Sequence, residues 1–159
     1  MSSTPQVGEA APAFAVPGHD GRPVALADFN GRALVLFFFP KSDTSGCTKE
    51  ALAFSAHRAA FDAVDTALLG VSADAPKMQA KFRDKYQLNL PFAADEKHQV
   101  LEPYGVWIEK SMYGRRYWGV ERATFLVDRT GVIARIWRNV KVRGHVEDVL
   151  AAAQALNRK

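Results

Sequence analysis

Cysteine is almost absent from this 159-residue chain, which contains only Cys47. A single cysteine cannot form a disulfide within the chain, so such bonds do not hold the fold together. If the thiol matters, it matters through its reactivity. The chain's 4 histidines form no pairs at ligand spacing, and no second cysteine accompanies them. We therefore predict that the protein binds no metal.

Other features are missing as well. The sequence has no apolar run of about 20 residues, and no basic segment followed by a hydrophobic one at its N-terminus, so we expect a cytoplasmic protein without a membrane anchor. It has no glycine-rich phosphate loop, which argues against a nucleotide cofactor. The formal charge of +4 comes without a run of like charge or an RNA-binding motif. We therefore do not expect nucleic acid as a partner.

The composition is that of a folded, globular protein. Hydrophobic residues make up 48% of the chain and charged residues 24%, a balance far from that of disordered or fibrous sequences. Internal repeats and linker-like segments are absent. We therefore predict a single domain that covers residues 1–159.

Two short apolar runs, Leu34–Phe39 and Ala67–Ser72, predict strands that are buried on both faces of a sheet. Between them, a repeat at helical spacing predicts a helix from Ser45 to Asp62 that connects two parallel strands. The apolar stripe expected to pack against the sheet consists of Leu52, Ala56, Ala59 and Ala63.

Farther along, a second helix is predicted from Pro76, with its apolar stripe formed by Met78, Phe82 and Tyr86. The segments 123–127 and 132–137 flank a polar loop that ends in glycine, which predicts an antiparallel hairpin with a bulge. A last helix is expected after Gly144. Together these elements predict an α/β, thioredoxin-like fold with a central mixed sheet flanked by helices and an N-terminal extension.

The segment Pro40–Glu50 leaves the first buried strand, crosses a short polar loop and opens a helix with Cys47 in its first turn. Free backbone N–H groups and the positive end of the helix dipole favour a thiolate at this position. Because the neighbouring residues are polar, we expect the sulfur to be reachable by solvent. Cys47 is therefore a candidate nucleophile, and an inert buried cysteine is the alternative.

Pro40, Thr44 and Cys47 reproduce the spacing Pro-x-x-x-Thr/Ser-x-x-Cys. With the segment Glu121–Asp128, this pattern resembles the peroxiredoxins, in particular the group named after the bacterioferritin comigratory protein, also called the Q type. The resemblance extends from about Val7 to His145. It implies a thiol peroxidase that reduces hydrogen peroxide and organic hydroperoxides through a cysteine sulfenic acid, without a prosthetic group.

The resemblance also implies roles for residues around Cys47. Thr44 and Arg122 are expected to donate hydrogen bonds to the peroxide oxygens as negative charge moves across them, although the Thr44 hydroxyl can instead cap the helix. Pro40 is expected to shield the pocket, or simply to end the strand. Glu50 is expected either to orient Arg122 or only to interact with the helix dipole. Gly46 is a supporting residue beside the cysteine.

The sequence departs from the family at the second cysteine. Many members of the group carry a resolving cysteine at a position occupied here by Leu52 or by Arg83. We therefore expect an external thiol, from thioredoxin, glutaredoxin or glutathione, to reduce the oxidised Cys47. The protein is expected to be a monomer or a weak dimer.

Two other functions remain open from the residues alone. One is a disulfide reductase, although the loss of a Cys-x-x-Cys pair removes dithiol exchange. The other is a thioredoxin-like thiol-binding or holdase module without peroxidase turnover.

Overall fold

The computed structural model describes residues 5–157. Its strands are β1 Ala15–Pro17, β2 Pro23–Ala25, β3 Ala33–Phe38, β4 Thr66–Ser72, β5 Phe92–Ala94, β6 Trp107–Met112, β7 Arg115–Val120, β8 Ala123–Val127 and β9 Ile133–Trp137. Its α-helices are α1 Ser45–Ala56, α2 Arg58–Ala63, α3 Pro76–Lys85 and α4 His145–Leu156, and a 3-10 helix spans Leu26–Phe29.

The central sheet has five strands in the order β5-β4-β3-β8-β9. β3 is parallel to β4, and β4 is parallel to β5, whereas β8 runs antiparallel to both β3 and β9. This mixed sheet confirms the predicted α/β, thioredoxin-like architecture. The pairs β1-β2 and β6-β7 form two separate antiparallel sheets. The β1-β2 pair belongs to the N-terminal extension that precedes β3.

Every residue of β3 and β4 is buried. The two strands occupy the middle of a sheet that is covered on both faces, and such strands carry continuous apolar runs. Alternation along β3 sends Leu34, Leu36 and Phe38 into one core cluster, and Val35 and Phe37 into the other. The predicted buried strands are therefore confirmed.

The helix predicted from Ser45 to Asp62 is wrong in its extent, because it is broken at His57 into α1 and α2. The His57 ring atom Nδ1 is hydrogen-bonded to the carbonyl oxygen of Ala53 at 2.8 Å, where it competes with the backbone ladder.

The predicted stripe of Leu52, Ala56, Ala59 and Ala63 is also wrong, since all four residues are exposed. Phe54 and Phe61 are buried instead, and Phe54 stacks on Phe37 with ring centroids 4.5 Å apart. Burying large aromatic rings gains far more free energy than burying alanine methyl groups, and this difference sets the rotation of the helix.

In α3, Phe82 is buried as predicted, and Tyr86, just past the helix end, is half-buried. Met78 is exposed, contrary to prediction, and Gln79 is buried. The Gln79 side-chain amide donates to Ser72 Oγ and to the carbonyl oxygen of Ala93, at 2.9 and 2.8 Å. Hydrophobic periodicity cannot identify a buried polar residue such as Gln79, whose donors are satisfied inside the core.

The hairpin β8-β9 is confirmed, with its bulge between Leu126 and Val127. The helix after Gly144 is confirmed as α4, which buries Val146, Val149 and Ala153. The hairpin β6-β7 was not predicted. No helix in the described part of the chain is long and apolar enough to cross a membrane.

Candidate active site

The register of the central sheet brings together residues that are far apart in the chain. β3 ends at Phe38, and the loop that follows leads into α1, which carries Cys47 in its first turn. Ala123, the first residue of β8, lies opposite Phe38. Arg122 immediately precedes β8, so the antiparallel pairing places it beside this loop. The predicted proximity of Arg122 and Cys47 is therefore a consequence of the β3-β8 register.

The Arg122 guanidinium bridges two side chains of α1. Its Nη2 atom donates to Cys47 Sγ at 3.3 Å, and its Nη1 atom donates to Glu50 Oε1 at 2.8 Å. Cys47 and Glu50 lie on the same face of α1 because they are three residues apart. A Cβ atom added at Gly46 would lie 3.0 Å from Arg122 Nη2, so glycine leaves room for the guanidinium.

The charges at this bridge are largely removed from water. The Glu50 side chain is 0% exposed and that of Arg122 is 16% exposed. Burial raises the pKa of Glu50 to about 7, although the charge and hydrogen bond of Arg122 act in the opposite direction. Burial acts to lower the pKa of Arg122, but the charges of Glu50 and Cys47 outweigh it and raise this pKa overall. The guanidinium therefore stays charged next to the sulfur.

Cys47 itself is only 1% exposed, so the prediction that its sulfur is reachable by solvent is wrong for this structure. The reason is that Cys47 lies on the inward stripe of α1, together with Ala51 and Phe54, and that Arg122 also contacts its sulfur. Polar neighbours in the sequence did not reveal this rotation of the helix.

Thr44 and Pro40 lie in the loop between β3 and α1. The Thr44 hydroxyl donates to the carbonyl oxygen of Lys41 at 2.9 Å, and it makes no helix-capping hydrogen bond. The capping alternative is therefore wrong for the side chain. Because its proton is donated to the carbonyl oxygen of Lys41, the hydroxyl is not free to donate to a peroxide, contrary to our expectation from the sequence, and instead presents its lone pairs as hydrogen-bond acceptors. Pro40 is half-buried where the chain leaves the sheet.

The same loop is held by a carboxylate that the sequence did not reveal. Asp74 Oδ2 accepts hydrogen bonds from Ser42 N at 2.8 Å, Ser42 Oγ at 2.7 Å and Ser72 Oγ at 2.8 Å. Asp43 adopts a positive φ of 63° and is bound by the side chains of Lys85 and Tyr86. The loop is thus tied both to the end of β4 and to α3.

Comparison with known proteins agrees with this geometry. The AhpC/TSA family model matches residues 7–136. A putative peroxiredoxin Bcp of Coxiella burnetii is 41% identical over 145 residues, which cover 91% of this chain and 96% of that protein. Peroxiredoxin Bcp of Bacillus subtilis is 36% identical over 156 residues, or 98% and 99% of the two chains. This chain belongs to the Bcp, or Q-type, peroxiredoxins.

A solved structure of Xanthomonas campestris peroxiredoxin Q superposes on this peroxiredoxin with a TM-score of 0.87 and 36% identity, covering 91% of this chain and 92% of the other. The C47S mutant of Xylella fastidiosa PrxQ superposes with a TM-score of 0.91 and 32% identity, covering 96% and 98%. The predicted family and its thioredoxin-like fold are therefore confirmed, and with them thiol peroxidase chemistry.

Two further side chains lie near the peroxiredoxin site, and of these Lys110 was not predicted from the sequence. Lys110, on β6, is half-buried, and burial followed by repulsion from Arg122 lowers its pKa, against the attraction of Cys47. His145 is a core histidine whose Nε2 atom lies 2.8 Å from Thr124 Oγ1. Burial lowers the pKa of His145 to about 4, so the ring is neutral at pH 7.

The positions of the family's resolving cysteine hold residues with other contacts. Leu52 lies on the outer face of α1 and is exposed. Arg83 donates through Nε to the carbonyl oxygen of Leu90 at 2.8 Å, which ties α3 to the segment before β5. Among residues 5–157, no group of three or more acidic, histidine or cysteine side chains is arranged to hold a metal ion.

The raised pKa of Glu50 predicts an unusual dependence of stability on pH. Between pH 4.5 and about 7, the folded protein retains a proton that the unfolded chain has released. The contribution of Glu50 to the free energy of unfolding should therefore fall as the pH rises through this window, against the opposite contribution of His145, whose lowered pKa makes the folded protein more stable as the pH rises from about 4 to 6.5. The Glu50→Gln variant should lack the falling component and keep the contribution of His145. Urea unfolding of both proteins at pH 5, 6, 7 and 8 measures the difference. Parallel pH profiles of the two proteins would contradict the prediction.

Loss of the Asp74 carboxylate should slow peroxide reduction. We expect Asp74→Ala to lower the rate constant with hydrogen peroxide by about tenfold, because the loop that carries Thr44 is no longer held in place. Alkylation of Cys47 by iodoacetamide needs only the sulfur and should not become slower. Ser42→Ala, which removes one of the three hydrogen bonds, should show a smaller effect. An equal loss in both reactions would point to general misfolding and would refute a positioning role.

Proposed function

We propose that this peroxiredoxin reduces hydrogen peroxide and organic hydroperoxides with Cys47 as the nucleophile and with reducing equivalents from a thiol outside the chain. The observation that carries the proposal is the half-buried Arg122 guanidinium, which contacts Cys47 Sγ and Glu50 at the same time. The bacterioferritin comigratory protein of Xanthomonas campestris, which is 36% identical to this chain, has alkyl peroxide reduction activity, and this similarity supports the substrate class.

In the first step, the Cys47 thiolate attacks one peroxide oxygen and the O–O bond breaks. The departing oxygen takes a proton and leaves as water or as an alcohol, and Cys47 becomes a sulfenic acid. Arg122 stabilises the negative charge that passes from the sulfur to the departing oxygen, because it is a permanent cation in a site largely closed to water.

The other residues position the reactants. The Thr44 hydroxyl donates its own proton to the carbonyl oxygen of Lys41, so it accepts a hydrogen bond from the peroxide O–H group and orients the peroxide. Glu50 holds the second arm of the guanidinium, and Gly46 leaves space for it. Pro40 shapes the loop where it leaves β3.

In the second step, a thiol attacks the sulfenic sulfur and displaces water, which forms a mixed disulfide. A second thiol then attacks this disulfide and releases Cys47 in its reduced form. Thioredoxin, glutaredoxin and glutathione are the candidate reductants. We further propose that the chain works as one domain without a prosthetic group, as a monomer or weak dimer in the cytoplasm.

The oxidation products of Cys47 test the single-cysteine mechanism. Without thiol, graded hydrogen peroxide should add one and then two oxygen atoms to Cys47, and with thiol it should give a mixed disulfide. Mass spectrometry of the intact protein distinguishes these products. Cys47→Ser should neither gain these oxygens nor consume peroxide, and a thiol-binding module would consume none in either form. A Cys47–Cys47 dimer as the main product would overturn the assignment of a separate reductant.

Substitution of Arg122 tests the electrostatic role. Arg122→Ala should slow the reaction of Cys47 with hydrogen peroxide by about 10² or more, because a preorganised cation is lost from the developing charge. Arg122→Lys keeps a charge but cannot contact Cys47 and Glu50 with two arms, so its rate should lie between those of wild type and alanine. Single-turnover kinetics give the rate constants. A rate unchanged in the alanine variant would transfer the role to another cation.

A further inference from the structure

The two faces of the hairpin β6-β7 differ sharply in charge. Residues paired across an antiparallel ladder point to the same side of the sheet. The pairs Ile108↔Gly119, Lys110↔Tyr117 and Met112↔Arg115 therefore share one face, which we call the cationic face. A contact supports this assignment: a Cβ atom added at Gly119 would lie 3.4 Å both from Lys110 Cδ and from the Tyr117 ring.

On the opposite face, Arg116 forms an ion pair with Glu109, with Nη1 3.9 Å from Oε1. The cationic face carries no acidic residue. Lys110 and Arg115 have no hydrogen-bond or ion-pair partner in the described part of the chain. Glu121, the residue after β7, attracts Lys110, but its carboxylate is paired with Arg138. This face therefore presents two positive charges that have no ion-pair partner.

The hairpin also exposes large apolar side chains. Four of the seven large hydrophobic residues exposed in the described range belong to it, namely Met112, Tyr113, Tyr117 and Trp118. Met112 and Tyr117 lie on the cationic face, at 55% and 42% exposure. Exposed apolar side chains that cluster in this way mark interaction sites, and Tyr, Met and Arg are enriched at protein interfaces.

The cationic face leads to the active site. β7 ends at Val120, and only Glu121 separates it from Arg122. The aliphatic part of Lys110 lies over Gly119, the end of the face that is nearer to Arg122. Lys110 is within electrostatic range of Arg122, Cys47 and Glu121. The Gly119 end of this face therefore lies next to the segment that carries Arg122, the residue in contact with the sulfur.

We propose that the cationic face is the docking surface for the reductant, and that this reductant is an acidic protein with a reactive thiol pair. The inference rests on the proposed function, in which the single cysteine requires a thiol from outside. From Ile108 to Met112 the face measures about 13 Å along the strand, longer than a small thiol needs and suited to a transient protein contact. A second copy of this chain is a poor occupant, because two proteins of charge +4 repel each other.

The chemistry balances with two partner thiols. The first attacks the sulfenic sulfur of Cys47, so that an S–S bond forms, the S–O bond breaks and the hydroxyl group leaves as water. The second attacks the partner's own sulfur in this mixed disulfide. Cys47 leaves as a thiolate, and the partner keeps both oxidised sulfurs as its internal disulfide.

Arg115 and Arg116 provide a matched pair of variants, because they are adjacent and lie on opposite faces of the hairpin. The assay measures hydrogen peroxide turnover with an acidic thioredoxin, kept reduced by its reductase and NADPH, or with dithiothreitol. We expect Arg115→Gln to lower kcat/KM for thioredoxin by about fivefold at low salt. We also expect kcat/KM of this variant to depend less on ionic strength than kcat/KM of the wild type. Met112→Ser should also lower this value. Arg116→Gln should leave it near that of wild type.

Turnover with dithiothreitol distinguishes a failure of the proposed peroxidase function from a failure of the proposed docking surface. All these variants should turn over with dithiothreitol at the wild-type rate, since a small neutral dithiol needs no docking face. Absence of wild-type turnover with dithiothreitol would refute the peroxidase function itself. Two outcomes with normal dithiothreitol turnover would refute the docking surface alone. One is no turnover with thioredoxin, and the other is an equal effect of Arg115→Gln and Arg116→Gln on turnover with thioredoxin. Self-association that Arg115→Gln abolishes would assign the face to a second copy and would also refute the proposal.

Discussion

The site depends on one buried contact, in which the Arg122 guanidinium lies between Cys47 Sγ and Glu50 Oε1. Removing a carboxylate and a guanidinium from water is costly, and their mutual attraction offsets that cost only when the geometry is good. The geometry is fixed at both ends. Helical spacing places Cys47 and Glu50 on one face of α1, and the register of β8 against β3 sets the position of Arg122. The sheet therefore does more than bury apolar surface, because it holds a charge beside the sulfur.

The parts of the fold that sequence predicted are those in which one local force dominates. β3 and β4 are continuous apolar runs, and the β8-β9 hairpin has Gly131, with a φ of 86°, in its loop. The stripe of α1 could not be found by counting apolar residues, because alanine matches the helical period as well as phenylalanine does but gains little from burial. Gln79 and Asp74 could not be found either. Their burial depends on partners such as Ser72 and Ser42, which come together only in the folded chain.

The candidate site likewise has features that the sequence predicted and features that only the folded structure shows. Cys47 was found from its position in the first turn of a helix, and the resemblance to a family added Thr44 and Arg122. Residue chemistry alone would not have distinguished Arg122 from the other arginines. The direction in which Cys47 points, and the acceptor role left to Thr44, depend on the rotation of α1 and on a hydrogen bond to Lys41. Neither property can be predicted from a local sequence pattern. Lys110 was missed because the hairpin that carries it was missed.

Burial of Cys47 imposes different requirements on its two reactants. A peroxide is small, and in the proposed mechanism it needs only the space beside Arg122 and Thr44. A reductant must deliver a sulfur atom to a residue that is 1% exposed, so it has to engage the rim of the site before it reacts. Gly46 and Arg122 are half-buried at that rim, and the Arg122 guanidinium is already in contact with Glu50 and Cys47. A positive charge without an ion-pair partner is instead found on the hairpin, at Lys110, and recognition of the oxidant and of the reductant is therefore assigned to different elements of the fold.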